Sequence, residues 1–110
     1  MKKADLFAEL LATYERHGWS LRAALLRPET VVELRQSRGD LLQSINVKDS
    51  TVDAMWLSRP SHQNREAWEL RLLSETQYAL FETCEADETE EQREEMRQEL
   101  EARLRDYVER

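Results

Sequence analysis

The sequence predicts a single α+β domain over residues 1–110, with a four-stranded antiparallel sheet that carries an N-terminal and a C-terminal helix on one face. Two observations predict this class. Apolar residues recur at helical spacing near both ends of the chain, and the stretch from Thr51 to Cys84 alternates like strands between turn-forming segments. The expected order is α-β-short α-β-β-β-α, which short connections can satisfy.

The charge of the chain limits its partners. The 110 residues include 16 basic and 23 acidic side chains, for a formal net charge of −7. This balance repels nucleic acid and anionic membranes, and no apolar run approaches the ~20 residues that a bilayer span needs. The N-terminus lacks the apolar block of a signal peptide, and a lone cysteine suits a reducing compartment. We therefore expect a cytoplasmic protein that binds neither nucleic acid nor membrane.

The first helix is predicted over residues 5–17. Its apolar face recurs at steps of three and four residues and consists of Leu6, Phe7, Leu10, Leu11 and Tyr14. Asp5 suits the positive end of the helix dipole, and Gly18 ends the helix because glycine adopts the left-handed conformation at low cost. His17 is interpreted as a helix-end residue and not as a ligand.

A strand over residues 19–27 and a short helix follow. Pro28 ends the strand and is tolerated in the first turn of a helix that extends to about Gln36. Residues 37–50 show no sustained period, and Gly39 marks a turn within them. We expect an irregular connection there.

Three strands are predicted between Thr51 and Cys84. If the polar loop over residues 58–65 is symmetric, Trp56 lies directly opposite Trp68. We therefore predict that the two tryptophans are cross-strand neighbours.

The second turn, near Ser74, leaves two registers open. A two-residue turn sets Trp68 opposite Phe81, whereas a three-residue loop sets Leu70 opposite Leu80. Ser-Glu is not a favoured two-residue turn sequence, and the sequence does not choose between the registers.

The last helix is predicted over residues 88–108, with Asp87 or Thr89 as its cap. Its narrow apolar stripe consists of Met96, Leu100, Leu104 and either Tyr107 or Val108. Glu101 and Arg105 are predicted to form an exposed pair at a spacing of four. The carboxylates of its first turns, Glu90, Glu91, Glu94 and Glu95, have the spacing of some metal ligands. No histidine accompanies them, so we predict a solvated helix start without a metal.

The loop over residues 58–65 holds the polar side chains that are best suited to a ligand. Arginine forks bind carboxylate and phosphate bidentately. The alternative function is a small-molecule or anion-binding domain, with or without enzymatic activity. It would use this loop together with the rims of two tryptophans: Arg59, His62, Asn64, Arg65, Trp56 and Trp68. The glycine-rich cradle of known phosphate loops is absent. No catalytic residue, cofactor or metal is predicted.

An apolar sheet face gives the leading hypothesis for function. Two helices cover one face of a four-stranded sheet, and the other face is not polar, because it includes Leu57 and Leu73. An exposed apolar patch on a soluble protein usually marks an interface. We expect a non-catalytic protein-interaction module that forms a homodimer, or joins another protein, through its sheet at these two leucines.

Overall fold

The computed structural model describes residues 2–110 and confirms the α+β class. The helices are α1 (Lys3–Arg16), α2 (Pro28–Arg38) and α3 (Glu90–Val108). The strands are β1 (Ser20–Leu26), β2 (Asn46–Asp49), β3 (Ala54–Pro60), β4 (Glu66–Leu72) and β5 (Ala79–Cys84). A short 3-10 helix over Gly39–Leu42 occupies one connection, and a tight turn over His62–Asn64 joins β3 to β4.

The strands form one five-stranded mixed sheet in the order β2-β1-β3-β4-β5. β3, β4 and β5 make the predicted antiparallel meander, and β1 pairs antiparallel with β3. β2 lies in the segment for which no regular element is predicted, and it runs parallel to β1, with Ala23 opposite Asn46. The prediction of four antiparallel strands is therefore wrong by one parallel edge strand, which is only four residues long.

Helices cover both faces of the sheet, so the domain has three layers. On one face, α1 and α2 bury a core that includes Phe7, Leu11, Leu34, Leu26, Met55, Leu57 and Leu73. On the other face, α3 buries a core that includes Leu25, Ala54, Trp56, Trp68, Leu70, Leu100 and Leu104. The prediction that both terminal helices share one face is wrong. Because side chains alternate along β3 and both of its faces are apolar, each face needs its own helical cover.

The first hairpin is shifted by two residues from the predicted register. Trp56 lies opposite Leu70, and Trp68 lies opposite Ser58. The two indoles still share one face, with ring centroids 6.0 Å apart in an edge-to-face arrangement. The predicted contact is confirmed and the direct opposition is wrong. The shift arises because β3 pairs as far as Pro60, and the tight turn beyond it uses positive φ angles at Gln63 and Asn64.

The second hairpin follows the longer-loop register, with Leu70 opposite Leu80.

The observed ends of the helices lie close to the predicted ends. α2 begins at Pro28, and Gly18 has a positive φ of 86° just beyond α1. α3 begins with a capping box, in which the Thr89 side chain accepts the Gln92 N–H and the Gln92 side chain accepts the Thr89 N–H.

Asp53 links the starts of α1, α2 and β3 through its carboxylate. It is buried just before β3, and its carboxylate accepts the Arg27 N–H at 2.8 Å and the Thr30 hydroxyl at 2.9 Å. Lys3 Nζ lies 3.4 Å from the same carboxylate. One side chain therefore fixes the starts of α1, α2 and β3 relative to one another.

Candidate functional site

Of the predicted loop residues, the structure brings Arg59 and His62 to the wall of one recess. Arg59 lies over the Trp19 ring at 4.8 Å, and its Nη1 donates to the His17 carbonyl at 3.1 Å. Arg65 Nε donates to the Glu85 carboxylate at 2.7 Å. His62 and Asn64 are exposed. The two guanidinium groups are thus engaged with different neighbours and do not form one anion site.

Trp56 and Trp68 line a different place, a cleft between α3 and the β1–β2 side of the sheet. α3 packs mainly on β4 and β5, and its Glu101 side chain reaches across to Lys48 of β2. The cleft has a volume of about 480 Å³. Its floor consists of Ala23, Trp56 and Trp68, and its charged rim consists of Arg22, Lys48, Glu90, Glu94, Arg97 and Glu101. We call this space the α3 cleft.

The inner end of the α3 cleft holds a buried carboxylate. Glu101 accepts the Trp56 indole N–H at 2.8 Å, and Lys48 Nζ lies 3.3 Å from it. The predicted surface pair with Arg105 is wrong, because Glu101 faces the sheet and is 6% exposed. The sequence signal for the burial of Glu101 is its position next to Leu100, a residue of the predicted apolar stripe. Its donors come from two distant strands, so the spacing within α3 could not reveal them.

The outer part of the α3 cleft is built around Trp68. Arg97 lies over this indole at 5.2 Å, and its Nη2 donates to Glu94 at 2.8 Å and also to Glu90. Arg22 lies over the same indole at 5.4 Å and donates a long hydrogen bond of 3.5 Å to Ser58. Trp68 is therefore in contact with two guanidinium groups.

The predicted interface leucines lie in the core. Leu57 and Leu73 are both fully buried beneath α1 and α2. The prediction that their sheet face is exposed is wrong, because α2 joins α1 on that face. Neither side chain can contact a partner while the chain is folded.

The sheet instead exposes an edge at β5. Leu72 N–H donates to the Tyr78 carbonyl at 2.9 Å, which makes these two residues a hydrogen-bonded pair. In antiparallel strands such pairs alternate with non-bonded ones. The backbone groups of the intervening residues Ala79, Phe81 and Thr83 therefore point away from β4. Phe81 lies at the centre of this edge and is 56% exposed.

Tyr14 sits in a shallow recess where α1 meets β4. Its hydroxyl donates to the Glu69 carboxylate, and its ring packs edge-to-face against Trp19. Burial, followed by the hydrogen bond to Glu69, raises the pKa of Tyr14 to about 12 from an ordinary value of 10.0. The folded chain therefore holds this proton more tightly than the unfolded chain does.

The raised pKa of Tyr14 predicts a loss of stability at alkaline pH. The stabilisation is fully present below pH 10.0 and disappears as the pH rises to about 12, because the unfolded chain loses the proton first. We expect the free energy of unfolding to fall more steeply across this interval in the wild type than in Tyr14→Phe. Urea titrations of both proteins at several alkaline pH values measure the difference. Equal slopes would contradict the prediction.

Three further kinds of site concern the cysteine, metal ligands and membrane-spanning helices. Cys84 is buried, and burial followed by the nearby charge of Glu88 raises the pKa of its thiol, which makes it a poor nucleophile. Within residues 2–110, no group of three or more histidine, cysteine, aspartate or glutamate side chains could hold a metal ion. None of the helices described is both long and apolar enough to cross a bilayer.

Comparison with known proteins adds no assignment. No protein-family model, curated protein or solved structure matches the chain. The case for a function therefore rests on the β5 edge and the α3 cleft.

Proposed function

We propose that the protein is a non-catalytic interaction module that self-associates through the free edge of its sheet. The observation that carries this proposal is Phe81, a half-exposed aromatic side chain in the middle of the unpaired edge strand β5. Exposed strand edges are templates for pairing with another chain, and proteins usually block them. The opposite edge, β2, is blocked in this way because it is four residues long and includes Lys48 and Asp49.

A second copy of the chain can pair with the β5 edge in an antiparallel register that is centred on Phe81. With Phe81 opposite its own symmetry mate, the outward backbone groups of Ala79 and Thr83 face each other across the axis. This arrangement gives about six backbone hydrogen bonds between the copies. It also pairs the two Phe81 rings on one face, and aromatic pairs stabilise neighbouring strands.

Charge favours this register over the neighbouring register that is centred on Glu82. The Phe81-centred register sets Glu82 opposite Leu80 of the second copy, whereas a shift by one residue toward Glu82 sets the two Glu82 carboxylates directly opposite each other. Like charges in directly opposite positions destabilise strand pairs. In the free chain, Glu82 accepts the outward Thr83 N–H at 3.3 Å, an exposed bond that is easily exchanged for one to a partner strand.

The interface is small, so we expect a weak and reversible dimer. Each backbone hydrogen bond contributes about 0.5–1.5 kcal/mol net, and association entropy opposes the sum. The net charge of −7 on each copy adds repulsion that salt screens. Association should therefore strengthen as ionic strength rises, which is opposite to the behaviour of a dimer held by salt bridges.

The test compares two exposed hydrophobic residues on different surfaces. Phe81 is 56% exposed on β5, and Val32 is 55% exposed on α2. Phe81→Asp should convert the dimer to the 13.1 kDa monomer, since it puts carboxylates opposite each other at the two-fold axis. Val32→Asp should leave the association constant unchanged. Analytical ultracentrifugation over a concentration series measures both.

Two results would contradict the proposal. One is a wild-type protein that stays monomeric at high micromolar concentration in high salt. The other is a dimer that Phe81→Asp leaves intact, which would place the interface elsewhere. Ala79→Pro gives an independent check, because proline removes an outward N–H while leaving the β4–β5 ladder in place. It should weaken the dimer without loss of secondary structure.

A further inference from the structure

We propose that the α3 cleft binds a small zwitterionic molecule, such as an amino acid, that carries a carboxylate, an ammonium group and a compact apolar body. This site is separate from the interaction surface, because the cleft opens on the β1–β2 side of the sheet and β5 forms the far edge. The proposal is therefore independent of self-association.

The charges around the cleft carry the argument, because they do not all pair with one another. Lys48 and Glu101 form a pair at the inner end. At the outer end, Arg97 is shared by Glu90 and Glu94, so one guanidinium group faces two carboxylates. That end keeps one negative charge in excess.

Arg22 supplies the matching positive charge. Within residues 2–110 it forms no ion pair, and its hydrogen bond to Ser58 is long at 3.5 Å. Most of its donors thus remain available at the rim of the cleft. Guanidinium groups bind carboxylates bidentately, so Arg22 is suited to the carboxylate of a ligand, while Glu90 and Glu94 are suited to its ammonium group.

The space between these charges has room for the body of a small ligand. The cleft has a volume of about 480 Å³, which lies within the range of small-molecule sites. Trp56 and Trp68 lie beneath the cleft and are 1% and 5% exposed, and their ring contact at 6.0 Å together with the Trp56–Glu101 hydrogen bond holds Trp56 in place. A simple anion would meet the excess carboxylate, and a simple cation would meet Arg22. Only a molecule with both charges satisfies both ends.

The experiment uses three probes that share one ring. L-phenylalanine carries both charges, 3-phenylpropanoate lacks the ammonium group, and 2-phenylethylamine lacks the carboxylate. Binding is measured from the indole N–H resonances of Trp56 and Trp68 in the isotope-labelled full chain. We expect phenylalanine to shift both resonances at the lowest concentration. Each single-charge probe should bind with an affinity that is lower by about tenfold or more.

Two matched pairs of variants assign the ends. Arg22→Gln should weaken binding of phenylalanine and phenylpropanoate by about tenfold, whereas Arg35→Gln, an exposed arginine on α2, should not. Glu90→Gln should weaken the binding of phenylalanine and leave the binding of phenylpropanoate unchanged or tighter. Glu91→Gln should change the binding of neither probe. Indole resonances that phenylalanine leaves unmoved at millimolar concentrations overturn the proposal. Equal binding of all three probes, or full binding by Arg22→Gln, overturns it as well.

Discussion

Replacing Leu57 by aspartate is expected to unfold the protein, although the same substitution at Phe81 leaves the monomer folded. Leu57 is fully buried between the sheet and the α1–α2 layer. Loss of the leucine side chain costs about 2–5 kcal/mol, and an unpaired carboxylate in its place costs several kcal/mol more. Native domains are stable by only about 5–15 kcal/mol, so the sum removes most or all of the stability.

Circular dichroism and urea unfolding of Leu57→Asp measure this effect, with Phe81→Asp as the matched control. The pair separates a core position from a surface position with one chemical change. A folded Leu57→Asp that merely becomes monomeric would contradict the buried position of this leucine, and it would restore the interface that the sequence predicts at Leu57 and Leu73.

Replacing Asp53 by alanine is expected to destabilise the protein by about 3–5 kcal/mol, the cost of removing one partner from a buried, charged network. Asp53 is 3% exposed, and its carboxylate accepts hydrogen bonds from the Arg27 N–H and the Thr30 hydroxyl. Without it, the Arg27 N–H and the Thr30 hydroxyl lose this acceptor, whereas the Lys3 ammonium keeps its hydrogen bond to the Leu73 carbonyl. The variant Asp53→Asn should retain part of the stability, because the amide oxygen of asparagine still accepts a hydrogen bond.

The free energy of unfolding from urea titration tests this prediction, with Asp49→Ala as the control. Asp49 is an exposed residue at the end of β2, so its replacement should change stability by less than about 0.5 kcal/mol. Equal effects of the two alanine variants would mean that the Asp53 network is not a significant source of stability.

Local signals predicted most elements of the fold. The apolar period of α1, the proline at the start of α2 and the Thr89 cap of α3 depend on residues near in sequence, and each element appears at the predicted place within a few residues. β2 is missing from the prediction because its sole signal is the two-residue spacing of Ile45 and Val47. Four residues are too few to distinguish a strand from a connection.

The candidate sites were harder to predict, because their residues meet only in the folded chain. Glu101 looks like an exposed helix residue until β3 brings the Trp56 indole to it. The tryptophan contact was predicted because both residues flank one hairpin, yet their cleft partner Arg22 comes from β1. Sequence spacing can predict pairs within a hairpin or a helix, and it carries no information on which distant side chains share a cleft.

The position of β1 in the sheet has a consequence for how the chain folds. Residues 54–110 form a contiguous unit of β3, β4, β5 and α3, and residues 3–49 form another of α1, β1, α2 and β2. Within the sheet, the two units meet only where β1 pairs with β3. Local contacts form early and distant pairing is slow, so closing this seam is the step we expect to limit the folding rate. The Asp53 network lies at one end of the seam and becomes complete only when the two halves have joined.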